Sequence, residues 1–141
     1  MSTSTSLTQQ DIAIVQRDWA KIEDIADQAG TLLYDKLFTL SPDVRQLFPA
    51  DLTDQKAKLV RMLGAAIYGL SQPDVLLPIV AHLGRKHMHF GVRSHHYQTL
   101  AVALMWTLRQ GLGSQFGPEN EAAWTKAYGV LADAMKPGAA D

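Results

Sequence analysis

The sequence predicts an all-α protein, and three observations carry that prediction. Apolar residues recur at intervals of three and four, as in Ile12, Val15, Trp19 and Ile22. Helix starts and stops punctuate the chain, among them Thr8 with Asp11, Ser41-Pro42, Gly91, Ser94 and Gly117-Pro118. No stretch carries a strand signal, and there is no internal repeat or low-complexity segment. About seven helices account for the chain.

Composition narrows the class. A chain of 141 residues with 47% apolar and 19% charged residues is ordinary for one globular domain, spanning 1–141. Folding should bury roughly 68–70% of its unfolded surface. The tails 1–7 and 137–141 are small or polar and are expected to fray. A net charge of −1 supplies no field for nucleic acid or an anionic membrane. Arg85-Lys86 is the only dense basic pair, and a solvated helix face explains it. The absence of cysteine removes thiolate chemistry, cysteine zinc sites and disulfides. The first six residues have no apolar core and are no signal peptide, and no apolar run reaches membrane length. The expectation is a cytoplasmic protein.

The elements follow in order. Thr8 and Asp11 have capping-box spacing and open a helix whose buried stripe runs to about Ile25. A second helix runs from about Asp27 to Leu40, with Leu33, Leu37 and Leu40 on one face and Tyr34 and Phe38 beside it. Gly30 inside it costs about 1 kcal/mol against alanine, which predicts a close helix crossing there. Ser41 as cap and Pro42 at the first helical position start a short helix to Leu47, with Phe48 at its end. Thr53 or Asp54 caps the next helix, to about Gly69, where Gln55, Leu59, Met62, Leu63 and Ala66 share a face. A helix from about Asp74 tolerates Pro78 or splits there, and stops at Gly91. Ser94 caps a helix with Tyr97, Leu100, Val102, Leu104 and Leu108 on its apolar side. The last helix repeats Trp124, Tyr128, Leu131 and Met135.

Chemistry concentrates around Leu83-Gly84-Arg85-Lys86-His87. Leu83 and His87 are four apart and share a helix face, with Val92 just past the stop. Such a histidine is either a core residue satisfied by a hydrogen bond or a ligand presenting one nitrogen to a buried metal. Tyr34 is either a core aromatic or a donor aimed into a pocket, and Gln55 sits at a solvent edge or supplies an amide. The five histidines contain no pair at i,i+3 or i,i+4, which argues against a multi-histidine zinc site. Nucleophile elbows, phosphate loops and paired carboxylates are absent as well. What remains is one candidate axial histidine and large apolar residues able to line a flat cavity. A helical haem pocket requires little else.

These residues together resemble the globin family over about residues 8–136. The resemblance rests on Phe48 after Ser41-Pro42, Gln55 seven residues later, Leu83-Gly84-Arg85-Lys86-His87, Gly91-Val92 and Ala123-Trp124-Thr125-Lys126-Ala127-Tyr128-Gly129. Within the family the chain is similar to bacterial single-domain globins and flavohaemoglobin haem domains, with a Leu-Gly-Arg-Lys-His run shared with neuroglobins. The resemblance implies a two-layer helical sandwich around one haem. It makes His87 the axial ligand of the haem iron, Phe48 the aromatic against the porphyrin, and Tyr34 and Gln55 the distal pair. Leu59, Leu83, Val92, Tyr97 and Leu100 become haem-pocket residues, and Lys58, Arg61, Arg85 and His89 are candidates to meet the propionates. Gln55 stands where bis-histidine ligation would need a histidine, so the sixth position should be open or weakly filled.

One departure bears on activity. Flavohaemoglobins pair the proximal histidine with a tyrosine ten residues on, here Tyr97, and a glutamate whose position falls on Ala139. That triad is incomplete, and no reductase domain follows within these residues. The resemblance therefore implies reversible, high-affinity binding of dioxygen and other diatomic ligands for storage, delivery or scavenging, with no dedicated catalytic residues. The alternatives are a nitric oxide dioxygenase fed by a separate reductase, and a gas or redox sensor. Nucleic acid and membrane are not expected partners.

Overall fold

The capping box at Thr8 and Asp11 starts the first helix as expected. Thr8 Oγ1 accepts from Asp11 N and Thr8 N donates to Asp11 Oδ2, each at 3.0 Å. This is a computed structural model describing residues 7–89 and 91–136. The order is α1 (Gln9–Glu23), α2 (Ala26–Leu40), a 3-10 turn (Pro42–Leu47), α3 (Thr53–Gly69), α4 (Pro73–His89), α5 (Ser94–Leu112), a second 3-10 turn (Gly113–Gln115) and α6 (Pro118–Met135). No strand occurs among the described residues. The segment around Ala139 and the tail 137–141 lie outside them, as do residues 1–6. Leu7 packs against the core.

Several local expectations are corrected. The helix after Phe48 is not capped by Thr53 or Asp54; Asp51 does this, its Oδ1 accepting from Thr53 N at 3.0 Å and Thr53 Oγ1 at 2.8 Å. Ser41 turns its hydroxyl to the Asp43 carboxylate instead of a helix N–H. The start of α5 is held by His96, whose Nδ1 accepts from Arg93 N at 2.9 Å, not by Ser94. Pro78 does not split α4. It forgoes one bond to the Asp74 carbonyl on an exposed face, where water can replace it. Leu40 and Val102 project into solvent, 43% and 54% exposed, although their spacing groups them with core residues.

Helices pair as α2 on α5, α4 on α6, α1 on α6 and α2 on α3. Glycine sets the closest crossings. A Cβ on Gly30 would lie 3.3 Å from Lys56 Cβ and 3.6 Å from Val60 Cγ2, so α2 meets α3 where the sequence placed a crossing. A Cβ on Gly84 would come within 2.8 Å of Met135 Cα, which fixes α4 against the end of α6.

Between α1 and α6 lies a polar knot in the core. Asp18, only 1% exposed, accepts at Oδ2 from Asn120 Nδ2 at 2.8 Å and from Trp124 Nε1 at 3.0 Å. The donors are four apart on α6 and so reach one carboxylate from a single face. Trp19 stacks obliquely on Trp124, with ring centroids 6.1 Å apart.

These crossings predict opposite effects at two helical glycines. Gly84→Ala should lower stability by about 1–3 kcal/mol, since Met135 backbone cannot yield cheaply. Gly129→Ala, with nothing within 4 Å of the new Cβ, should be neutral or raise stability by roughly 0.5–1 kcal/mol through backbone entropy. Urea midpoints of both variants decide the matter; equal midpoints would remove the close-crossing argument.

Candidate functional site

The end of α4 is where local backbone chemistry and the candidate ligand meet. Gly91 adopts φ +93°, a left-handed conformation that suits glycine. That turn lets Val92 N donate to His87 O at 3.1 Å and Gly91 N to Met88 O at 3.0 Å. These nested bonds are a Schellman cap, and His87 is its first residue. The imidazole bonds within its own helix, Nδ1 lying 2.8 Å from Leu83 O. A carbonyl only accepts, so Nδ1 carries the proton and Nε2 keeps a free lone pair. A Cβ on Gly91 would lie 3.3 Å from Leu47 Cδ2, which puts this corner beside the 3-10 turn that ends at Phe48.

Tyr34, Phe38 and Phe48 form an aromatic cluster. Tyr34 meets Phe48 edge to face at 5.3 Å and Phe38 at 5.6 Å, and Phe38 lies 5.8 Å from Phe48. Tyr34 is buried, and its hydroxyl makes no hydrogen bond among the described residues. Gln55 lies partly buried in the first turn of α3, one residue before the Gly30 crossing, and its amide also bonds to no described residue. Phe48, Leu59 and Leu100 pack at the margin of the core, and Leu83 and Val92 are partly buried. Lys58, Arg61, Arg85 and His89 are exposed.

Two features were not visible in the sequence. Arg45 donates to the carbonyls of Phe48, Pro49 and Ala50 and lies over the Phe38 ring. Its only sequence signal is an arginine three residues before the key aromatic. Asp43, His95 and His96 also gather, with ligand atoms within 4.8 Å of one another, although histidine spacing gave no hint of a cluster. His96 Nδ1 is committed as acceptor to Arg93 N, so Nε2 carries the proton and faces Asp43 Oδ2 at 3.4 Å. That tautomer offers a cation no lone pair at Nε2.

Residues 31–135 match the Globin family model. The chain belongs to the globin family. Among its relatives are the flavohemoprotein of Bacillus subtilis, 33% identical over 107 residues, and that of Bordetella parapertussis, 33% identical over 105. Each alignment covers 72% of this chain and 26% of the relative. The globin therefore spans about a quarter of the length of the flavohemoproteins it matches. Ferric Aplysia limacina myoglobin with azide shares the fold at a TM-score of 0.84 and 19% identity, over 96% of this chain and all of that one.

Tyr97 is buried on α5 of this globin. It lines a groove between α5 and α6 with Gln98, Ala101 and Met105. Its hydroxyl is buried without a partner, and its carbonyl accepts from Tyr128 Oη at 2.6 Å. No hydrogen bond joins it to His87, whose Nδ1 is taken by Leu83. Among the described residues no helix is long and apolar enough to cross a membrane.

Burial pushes the Tyr34 phenol up to about 12 and raises Tyr97 and Tyr128 as well. The unfolded chain would release these protons near the ordinary value of 10.0. The stability these phenols contribute is therefore full below pH 10 and should fall as pH rises from 10 toward 12. Urea midpoints measured across that window should decline, and Tyr34→Phe should flatten the decline; a midpoint independent of pH would refute the burial account.

Proposed function

We propose that this globin holds one haem through His87 and uses it to bind dioxygen reversibly, with Tyr34 and Gln55 as donors on the opposite side. The observation that carries the reading is the His87–Leu83 bond, which fixes the tautomer with Nε2 unprotonated. An iron ligand must present that nitrogen, and a hydrogen bond at Nδ1 orients the ring for it. The surrounding residues suit a porphyrin. Phe48, Leu59, Leu83, Val92 and Leu100 are partly buried apolar side chains, able to cover a flat hydrophobic ring.

When bound, haem iron would supply an open coordination position for a diatomic ligand. The chain's own contribution is to hold donors there. A phenol that stays neutral to about pH 12 remains a donor at any physiological pH. The Gln55 amide is likewise neutral and unspent. Each could stabilise partial negative charge on a ligand by about 1–2 kcal/mol in a low-dielectric site. About 1.4 kcal/mol is a factor of ten, so together they would slow ligand release by roughly one and a half to three orders. The flavohemoprotein relatives support a second reading, nitric oxide consumption with electrons from a separate reductase, which multiple-turnover assays with added reductase would reveal.

Stopped-flow dissociation of dioxygen from the haem-loaded protein tests the proposal. Tyr34→Phe should speed release about tenfold, and Gln55→Leu should add to it. Unchanged rates in both variants would overturn the distal assignment.

A further inference from the structure

Arg45 carries a role that none of the site residues above accounts for. The stretch from Phe48 to Asp51 is outside any helix, and no helical N–H reaches the carbonyls of Phe48, Pro49 and Ala50. Arg45 supplies donors to three of them in succession. Nη1 donates to Phe48 O at 3.3 Å and Pro49 O at 2.8 Å, and Nη2 donates to Ala50 O at 2.9 Å. Its Cζ sits 5.2 Å from the Phe38 centroid, so the same guanidinium roofs the aromatic cluster. A planar fork with several donors suits this double task, whereas an ammonium is a point charge and could serve only part of it.

The consequence reaches Tyr34. Its hydroxyl has no hydrogen bond among the described residues, so packing alone orients the phenol. That packing includes Phe48 edge-on at 5.3 Å and Phe38 at 5.6 Å, and Arg45 touches both, lying over the Phe38 ring and donating to the Phe48 carbonyl. We infer that Arg45 is a positioning residue which, through Phe48 and Phe38, holds the Tyr34 phenol in its donating orientation and so sets the ligand dissociation rate. The inference rests on the distal role proposed above for Tyr34.

The test uses the haem-loaded protein with Arg45→Met, Arg45→Lys, Tyr34→Phe and the Arg45→Met/Tyr34→Phe double variant. Two quantities are read: dioxygen dissociation, and the C–O stretching frequency of the carbon monoxide form, which reports donors near the ligand. Arg45→Met should speed dissociation about fivefold, the order of one ordinary hydrogen bond's net worth, and shift the C–O stretch. Arg45→Lys should fall between Arg45→Met and the parent, and it serves alone should Arg45→Met not fold. In the Tyr34→Phe background Arg45→Met should have no further effect, because the group it positions is gone. An unchanged rate and stretch in the Arg45 variants, with Tyr34→Phe still fast, would overturn this role and leave the distal reading intact. A full-sized Arg45 effect in the Tyr34→Phe background would also overturn it, showing that Arg45 acts by another route. An inert Tyr34→Phe would remove both proposals.

Discussion

The His87 side of the candidate site depends on how α4 ends. A residue at Gly91 has to adopt positive φ, and the two nested bonds of the cap follow from that conformation. The cap ends α4 just past His87, which the helix itself places one turn past Leu83, and the Leu83 carbonyl fixes which imidazole nitrogen carries the proton. The Gly84 crossing with α6 anchors the same helix.

The two residue groups of the candidate site are built by different physics. The His87 side is local: helix, cap and histidine lie within ten residues. The Tyr34 side is assembled from separate elements, α2 and the segment after the 3-10 turn, and it is held by ring packing rather than hydrogen bonds. Such packing is directional but soft, which is why a cross-brace such as Arg45 has something to do. The Asp18 knot contributes elsewhere. It joins α1 to α6 by satisfying two buried donors with one carboxylate, and removing it would strand both.

How much was legible in the sequence follows the same division. The helices, the Thr8 cap, the Gly30 crossing and the Gly91 stop were readable because each depends on residues a few positions apart. His87 and Tyr34 were readable as candidates because their residue types are unusual on apolar faces, and Phe48 through the globin resemblance. Leu40 and Val102 misled because periodicity marks an apolar face without saying whether anything covers it. Asp51 and His96 displaced the expected caps because several polar residues compete at each helix start, and loop geometry picks the winner. Asp18 with Trp124 and Asp43 with His96 were invisible, since nothing local in a chain signals a partner 106 or 53 residues away. Arg45 lies close to Phe48 in sequence, yet its forward reach over an irregular loop follows no periodic rule.

The most direct test of the account is a haem titration followed by the Soret band, with the parent chain beside His87→Gly. The account predicts stoichiometric uptake of one haem by the parent, loss of the parent spectrum in His87→Gly, and its recovery when free imidazole is added. A His87→Gly protein that takes up haem with the parent's spectrum and stoichiometry, without imidazole, would contradict it. So would a folded parent that takes up no haem at all.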